Sequence, residues 1–260
     1  MDLGLAGRRV LVTGGSKGLG FAIARELVRE GAHVAICSRN ADKLDAAAET
    51  LRAEGGTVHA QPADVTSADE VRALVAGSVE ALGGLDGLVN NAGGAKPGNF
   101  ETLTDDDWRA DLDVKLFSWI DCCREVLPHL RAAGGGRIVN IGAVYGRYPN
   151  PAFFGTSVIR AAGNSFTKTF AQEVARDNVL VNGVNIGFVI TPQWDNIHQK
   201  RAPELEQSEF FRRLAAEEVP LGRFGTPDEV SGIVTFLLSE RASYITGASI
   251  DVAGGMGKYV

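Results

Sequence analysis

The chain has 260 residues, 45% of them hydrophobic and 22% charged, with a formal net charge of -6. Its length suffices for one sizeable core, and its apolar fraction excludes a disordered chain. A pI near 5.3 argues against a general affinity for nucleic-acid phosphates or an anionic membrane surface, since both call for a basic footprint.

No run of about 18 uncharged apolar residues is present, so no transmembrane helix is expected. The first twelve residues carry Asp2, Arg8 and Arg9 and lead straight into a strand pattern, so no signal peptide is expected. Three cysteines, Cys37, Cys122 and Cys123, are odd in number and form no CxxC. They are expected as reduced, core-filling thiols in a cytoplasmic protein. The 32 glycines are dispersed. No linker, charge block or repeat divides the chain, so residues 1–260 are read as one domain.

Short apolar runs alternate with amphipathic stretches. Val10–Val12 reads as a strand and Gly18–Arg29 as a helix, with Leu19, Ala22, Ile23 and Leu27 at helical spacing. A strand at Val34–Cys37, an Ala-rich helix over Ala41–Ala53, a strand at Val58–Ala60 and a helix over about Ser67–Leu82 follow. Gly87–Asn90 is a fourth strand, before one long helix over about Asp105–Ala132. The pattern continues with the strand Arg137–Ile141, a helix over about Phe154–Arg176 and the strand Val179–Val184. It closes with a helix over about Pro227–Leu238 and the strand Ser249–Val252. Strands of continuous Val, Ile and Leu alternating with helices predict an α/β fold: a doubly wound, Rossmann-type parallel sheet of seven strands with helices on both faces. Such a sheet places its ligand site at the carboxyl ends of the strands.

Thr13-Gly14-Gly15-Ser16-Lys17-Gly18-Leu19-Gly20 lies between the first strand and the first helix. Glycines there allow a tight turn, and the helix N-terminus offers free N–H groups to a pyrophosphate. An ordinary βα turn is the alternative, but the position within a βαβ unit favours nucleotide binding. After the second strand stands Ser38-Arg39, where an NAD-specific site places an acid. Arg39 with Lys17 suits a ribose 2′-phosphate, so NADP(H) is expected over NAD(H).

Thr13-Gly14-x-x-x-Gly18-x-Gly20, Asp64-Val65, Asn90-Asn91-Ala92-Gly93 and Gly247 with the Asp251–Gly255 stretch together resemble the short-chain dehydrogenase/reductase family over nearly the whole chain. The resemblance implies cofactor contacts from Gly14, Ser16, Lys17, Gly18, Leu19, Gly20, Ser38 and Arg39. It implies that Asp64 and Val65 touch the adenine, and that Asn90, Asn91, Ala92 and Gly93 line the cofactor. Gly187, Ile190 and Thr191 would sit beside the nicotinamide and phosphates, although Ile186 stands where the family usually has Pro. It also implies assembly as a homodimer or homotetramer, or a hetero-oligomer with another chain of the family, and a small-molecule substrate.

The family's acid–base residues are a Tyr, a Lys four residues later, a Ser thirteen residues before the Tyr, and an Asn on the preceding long helix. Aligned from the strand Arg137–Ile141 and from Phe166-Thr167-Lys168, those positions hold Thr156, Arg160, Ala143 and Lys115. A Thr hydroxyl does not ionise near neutrality as a perturbed phenol can, and Ala143 donates nothing. Arg160 could still hold the nicotinamide ribose. Tyr145 or Tyr148 could substitute, with Lys115 as the nearby cation, or both could line a wall with their hydroxyls satisfied. Ser157 is turned about 100° from Thr156 around the helix and is a poor substitute.

Residues 192–218 are expected as a lid of short amphipathic helices carrying Trp194, Ile197, Leu205, Phe210 and Leu214, with His198 as a solvated lid residue. No metal-ligand spacing is present. Two classes of function follow. One is an NADP(H)-dependent oxidoreductase acting on a carbonyl or secondary alcohol by a nonstandard acid–base apparatus. The other is an inactive subunit that binds nucleotide and supports an active homologue. A non-redox lyase in the same pocket is a third outcome.

Overall fold

Continuous runs of aliphatic residues suit strands covered on both faces, and the fold uses them so. The computed structural model describes residues 2–257. Its strands are β1 (Arg9–Thr13), β2 (His33–Ser38), β3 (Val58–Pro62), β4 (Gly87–Asn90), β5 (Gly136–Ala143), β6 (Val179–Ile186) and β7 (Ser249–Val252). All pair in parallel, in the order β3-β2-β1-β4-β5-β6-β7. The direction of winding reverses between β1 and β4. The carboxyl ends of these two strands therefore splay their following loops apart and open a crevice.

The helices are α1 (Gly18–Arg29), α2 (Ala41–Ala53), α3 (Ala68–Leu82), α4 (Asp105–Leu112), α5 (Ser118–Ala132), α6 (Phe154–Val174), α7 (Pro192–Arg201), α8 (Gln207–Glu218) and α9 (Pro227–Leu238). On one face of the sheet Ile23 and Leu27 of α1 and Val234 and Leu237 of α9 join Val12 and Val34 in a core. On the other, Leu74 of α3, Val126 and Leu130 of α5 and Val174 of α6 pack on Leu11 and Leu88. Cys37, Cys122 and Cys123 are free and buried in this second core, as expected. Burial pushes the Cys37 thiol up to about 11 and Cys123 to about 12, so both stay protonated.

The expected helix 105–132 differs from the reading in one respect. Its middle, Asp113–Phe117, is π-helical, with the Ser118 N–H bonded to the Asp113 carbonyl five residues back. Such widened turns cost helix geometry and recur at functional sites. Pro128 sits inside α5 without ending it. The remaining boundaries shift by a residue or two, as with Ser67, which caps α3 and does not open it.

Candidate active site

The phosphate end of the crevice is built by the β1–α1 turn. Gly14 (φ 68°) and Gly18 (φ 57°) occupy the left-handed region. A Cβ on Gly20 would lie 2.2 Å from the Gly14 carbonyl oxygen, so only glycine lets the turn close on the helix. Thr13 and Asn91 staple this turn to the end of β4. The Asn91 and Ala92 N–H groups donate to Thr13 Oγ1 at 3.0 Å, and Asn91 Nδ2 donates to the Thr13 carbonyl at 2.9 Å. Helices α2, α3, α4 and α9 begin with capping side chains, Asn40, Ser67, Thr104 and Thr226. At α1 the capping position is Lys17, and no side chain caps the helix. Its first N–H groups therefore point, with the positive end of the dipole, at the crevice.

Beyond this turn lie Ser38, Arg39, Asp64 and Val65, all on the same cavity. Burial tends to raise the Asp64 carboxyl. Hydrogen bonds from Thr66 N–H and Oγ1 and the charge of Arg39 outweigh it and hold it below the usual range. Arg39 and Lys17 are both exposed on this cavity, with the Asp64 carboxylate near enough to Arg39 to feel its charge. The donors, cations and tight glycine turn fit a phosphorylated dinucleotide.

At the other end, α4, the π turn and α6 bring together Asp111, Lys115, Thr156 and Arg160. Lys115 is fully buried, with its Nζ 2.6 Å from Asp111 Oδ2 and 3.0 Å from Thr156 Oγ1. Desolvation lowers its ammonium to about 8, against the pull of Asp111 and with help from the like charges of Arg160 and Lys96. Arg160 is also buried; its Nη1 donates to the Lys115 carbonyl at 3.3 Å, and its guanidinium stands 5.0 Å over the Trp119 ring. Burial lowers it to about 10, so it stays cationic at neutral pH. Ala143 is the last residue of β5 and lines the same cavity with Thr156, Asp111 and Arg160.

The lid segment folds as expected into two short helices, α7 and α8. Phe188, Trp194, Phe211 and Phe224 form its aromatic core, with Trp194 edge-on to the other three. The Ala95 N–H donates to the Gln193 side-chain oxygen at 2.9 Å, which ties the start of α7 across to the β4 loop. The whole cavity encloses about 810 Å³ and runs without a break from Arg39 to Trp194.

A protein-family model described as short chain dehydrogenase matches residues 8–202. The chain belongs to the short chain dehydrogenase family. It is 36% identical over 252 residues to nodulation protein G of Rhizobium meliloti (strain 1021), covering 97% of this chain and 98% of the relative. Among solved structures, L-sorbose reductase from Gluconobacter frateurii, complexed with NADPH and L-sorbose, superposes with a TM-score of 0.97 at 33% identity over the full length of both chains. A short chain oxidoreductase from Pseudomonas aeruginosa PAO1, described as containing an atypical catalytic center, has a TM-score of 0.93 at 36% identity, covering 99% of this chain and 100% of that one. Its NADPH-bound form gives 0.91 at 35%, covering 98% and 99%.

Most residues expected to bind the family's cofactor meet on one cavity: Gly14, Ser16, Lys17, Gly18, Leu19 and Gly20 in the turn, Ser38, Arg39, Asp64 and Val65 beyond it, and Asn91, Ala92, Gly93, Arg160, Gly187 and Thr191 around the centre. Two do not. Ile190 is 46% exposed and points away, its N–H spent on the Gly225 carbonyl. Asn90 turns into the core, donating to Asn140 Oδ1 at 2.9 Å, because successive strand residues face opposite sides.

Tyr145 lines the cavity, but its ring stacks on Phe153 and burial pushes its phenol well above the ordinary value. Its hydroxyl lies toward the Asn150 side chain. Lys115 is engaged with Asp111 and Thr156 instead of pairing with a tyrosine. Tyr148 donates to Asp251 Oδ2 at 2.8 Å and is not among the cavity-lining residues. Ser157 bonds the Phe153 carbonyl at 3.0 Å. His198 is buried, not solvated: its Nε2 lies 2.7 Å from the Leu205 carbonyl and its ring packs on Phe210. Asp111 and Gln193 escaped the sequence reading. The first had a legible signal, an acid four residues before Lys115 on a helix; the second had none.

Proposed function

We propose that the chain is an NADP(H)-dependent oxidoreductase that acts on a carbonyl or secondary alcohol through an acid–base group other than the family's usual tyrosine. One observation carries this reading. A single cavity joins the phosphate cradle of α1 to the buried polar cluster of Asp111, Thr156 and Arg160, so a dinucleotide and a small substrate would share one space. When bound, the reduced nicotinamide supplies a hydride. The protein's own residues do the rest. Lys17 and Arg39 meet the 2′-phosphate, the bare N-terminus of α1 meets the pyrophosphate, and Arg160 holds the ribose beside Gly93. The Gln193 tie holds the start of the lid against the loop after β4.

The resemblance assigns the positions of the family's Ser, Tyr, Lys and Asn to Ala143, Thr156, Arg160 and Lys115. The Pseudomonas relative, with its atypical catalytic center and NADPH-bound form, supports an active enzyme built without the usual set. The NADPH in the L-sorbose reductase complex supports the choice of cofactor. The exposed apolar side chains of Phe117 and Val158, at the end of the π turn and on α6, support self-association through these helices.

Nicotinamide fluorescence titration with NADPH and NADH, followed by NADPH oxidation over a panel of ketones, tests the reading. Tight, NADPH-selective binding with turnover is the expected result. Binding without turnover of any carbonyl would favour the inactive subunit, and no binding of either nucleotide would overturn the reading.

A further inference from the structure

Thr156 lines the cavity, and Lys115 stands directly behind it, sealed from solvent. A lysine buried for structure alone needs one carboxylate, and Asp111 provides it at 2.6 Å. The second contact is different: at 3.0 Å the ammonium donates to the hydroxyl of Thr156, a residue that lines the cavity. The two remaining family positions offer no proton. Ala143 has none to give, and Arg160 does not release one near neutrality. An ammonium that donates to a hydroxyl oxygen polarises that hydroxyl and makes it a better proton donor.

We propose that during carbonyl reduction Thr156 hands its hydroxyl proton to the substrate oxygen, and that Lys115, held by Asp111, replaces that proton. The proposal rests on the reductase reading. As hydride from NADPH bonds to the carbonyl carbon, the C=O π pair moves to oxygen. That oxygen takes the Thr156 proton, and Thr156 Oγ1 takes one from the Lys115 ammonium. The products are an alcohol, NADP⁺ and a neutral Lys115 amine, which solvent reprotonates past the cavity-facing Asp111. Thr156 is the catalytic residue; Lys115 is a positioning residue that also reloads it.

The charged groups facing Lys115 are Asp111 from α4, Arg160 from α6 and Lys96 from the loop after β4. Desolvation places its ammonium near 8, despite Asp111 and aided by Arg160 and Lys96. Reduction uses the charged form, so its rate falls as pH rises through about 8. Oxidation of the alcohol uses the neutral form and gains rate over the same range.

The test compares the full chain with Thr156→Val, Thr156→Ser and Lys115→Met. Without cofactor, 13Cε-lysine NMR follows the lysines against pH. One resonance titrating near 8, and absent from Lys115→Met, is expected. With NADPH and a carbonyl that the parent reduces, Thr156→Val should lose about 10²–10³-fold in kcat while NADPH affinity stays within about threefold. Thr156→Ser should regain activity to within about tenfold of the parent, and Lys115→Met should lose the pH limb near 8. If Thr156→Val keeps more than about a third of kcat, or the Lys115 resonance stays charged to pH 10, the relay is overturned and the reductase reading stands. If the parent binds NADPH but reduces nothing, the reductase reading fails and the relay falls with it.

Discussion

Lys115→Met removes a cation whose side chain is 1% exposed and strands the Asp111 carboxylate, itself 11% exposed, without its 2.6 Å partner. Met approximates the apolar stem of lysine, so the cavity contribution is small. The dominant loss is a buried carboxylate left with only the charge of Arg160 facing it, worth up to about 3–5 kcal/mol. Changing both residues, Lys115→Met with Asp111→Leu, removes the stranded charge. The double variant should fall within about 2 kcal/mol of the parent, because two desolvation costs vanish with the attraction that offset them. Urea unfolding at pH 7, followed by tryptophan fluorescence, measures the four corners of this cycle. Protein concentration is held fixed, because self-association would add to apparent stability. A single-variant cost below about 1 kcal/mol, or a double variant no more stable than the single, refutes the argument. The pair also predicts a pH slope. Lys115 titrates near 8 in the folded chain against an ordinary value of 10.5, so between those values the unfolded chain binds more protons. Stability therefore rises with pH over that window, by at most about 3 kcal/mol, and the penalty is fully present below pH 8. The parent should show this rise and Lys115→Met should lack it.

Arg39→Ala should weaken NADPH binding about 10–100-fold, the worth of one charge-assisted hydrogen bond, and leave NADH within about threefold; fluorescence titration decides. An equal loss for both nucleotides would show that Arg39 does not read the 2′-phosphate. Gly20→Ala puts a methyl 2.2 Å from the Gly14 carbonyl oxygen, a backbone contact that must shift. Binding of either nucleotide should drop more than about 100-fold, as equilibrium dialysis would show, and unchanged affinity would mean that the turn is not the cradle. Gln193→Ala cuts the 2.9 Å tie from the lid to Ala95. Losing about 1 kcal/mol of closure should speed proteolysis within residues 202–206 several-fold and raise KM more than it lowers kcat. Unchanged proteolysis and KM would remove Gln193 from the lid's closure.

The fold was legible because its signals are local and repeated. Val10–Val12 and Val34–Cys37 carry no polar residue to face water, so they belong in a sheet covered on both faces, and the amphipathic helices between them provide the covers. The turn end of the cavity was legible for the same reason. Its parts are backbone geometry at Gly14, Gly18 and Gly20 and a cation at a fixed place after β2. Ile190 and Asn90 were misplaced by one or two residues of strand or loop phase, which decides the side to which a side chain turns. His198 was misread because a polar residue in a polar segment gives no hint that the Leu205 carbonyl will fold back over it.

The reacting end was half legible, and the missing half explains itself physically. The resemblance put Lys115, Ala143, Thr156 and Arg160 at the family's four acid–base positions, but gave no sign of how they would meet. Lys115 looked like a loss of Asn and Thr156 like a loss of Tyr when each was taken alone. The two are 41 residues apart in the chain and meet only because the π turn and α6 pack together around Arg160 and Trp119. Asp111 belongs to the same unit, since a buried lysine without it would be driven toward its neutral form or out to solvent. Carboxylate, ammonium and hydroxyl therefore stand or fall as one arrangement. Changing Thr156 alone to the family's tyrosine would crowd a larger ring against an ammonium that lies 3.0 Å from the present hydroxyl. That variant should be less stable than the parent, and restoring activity with it should require the family's Asn at position 115 as well.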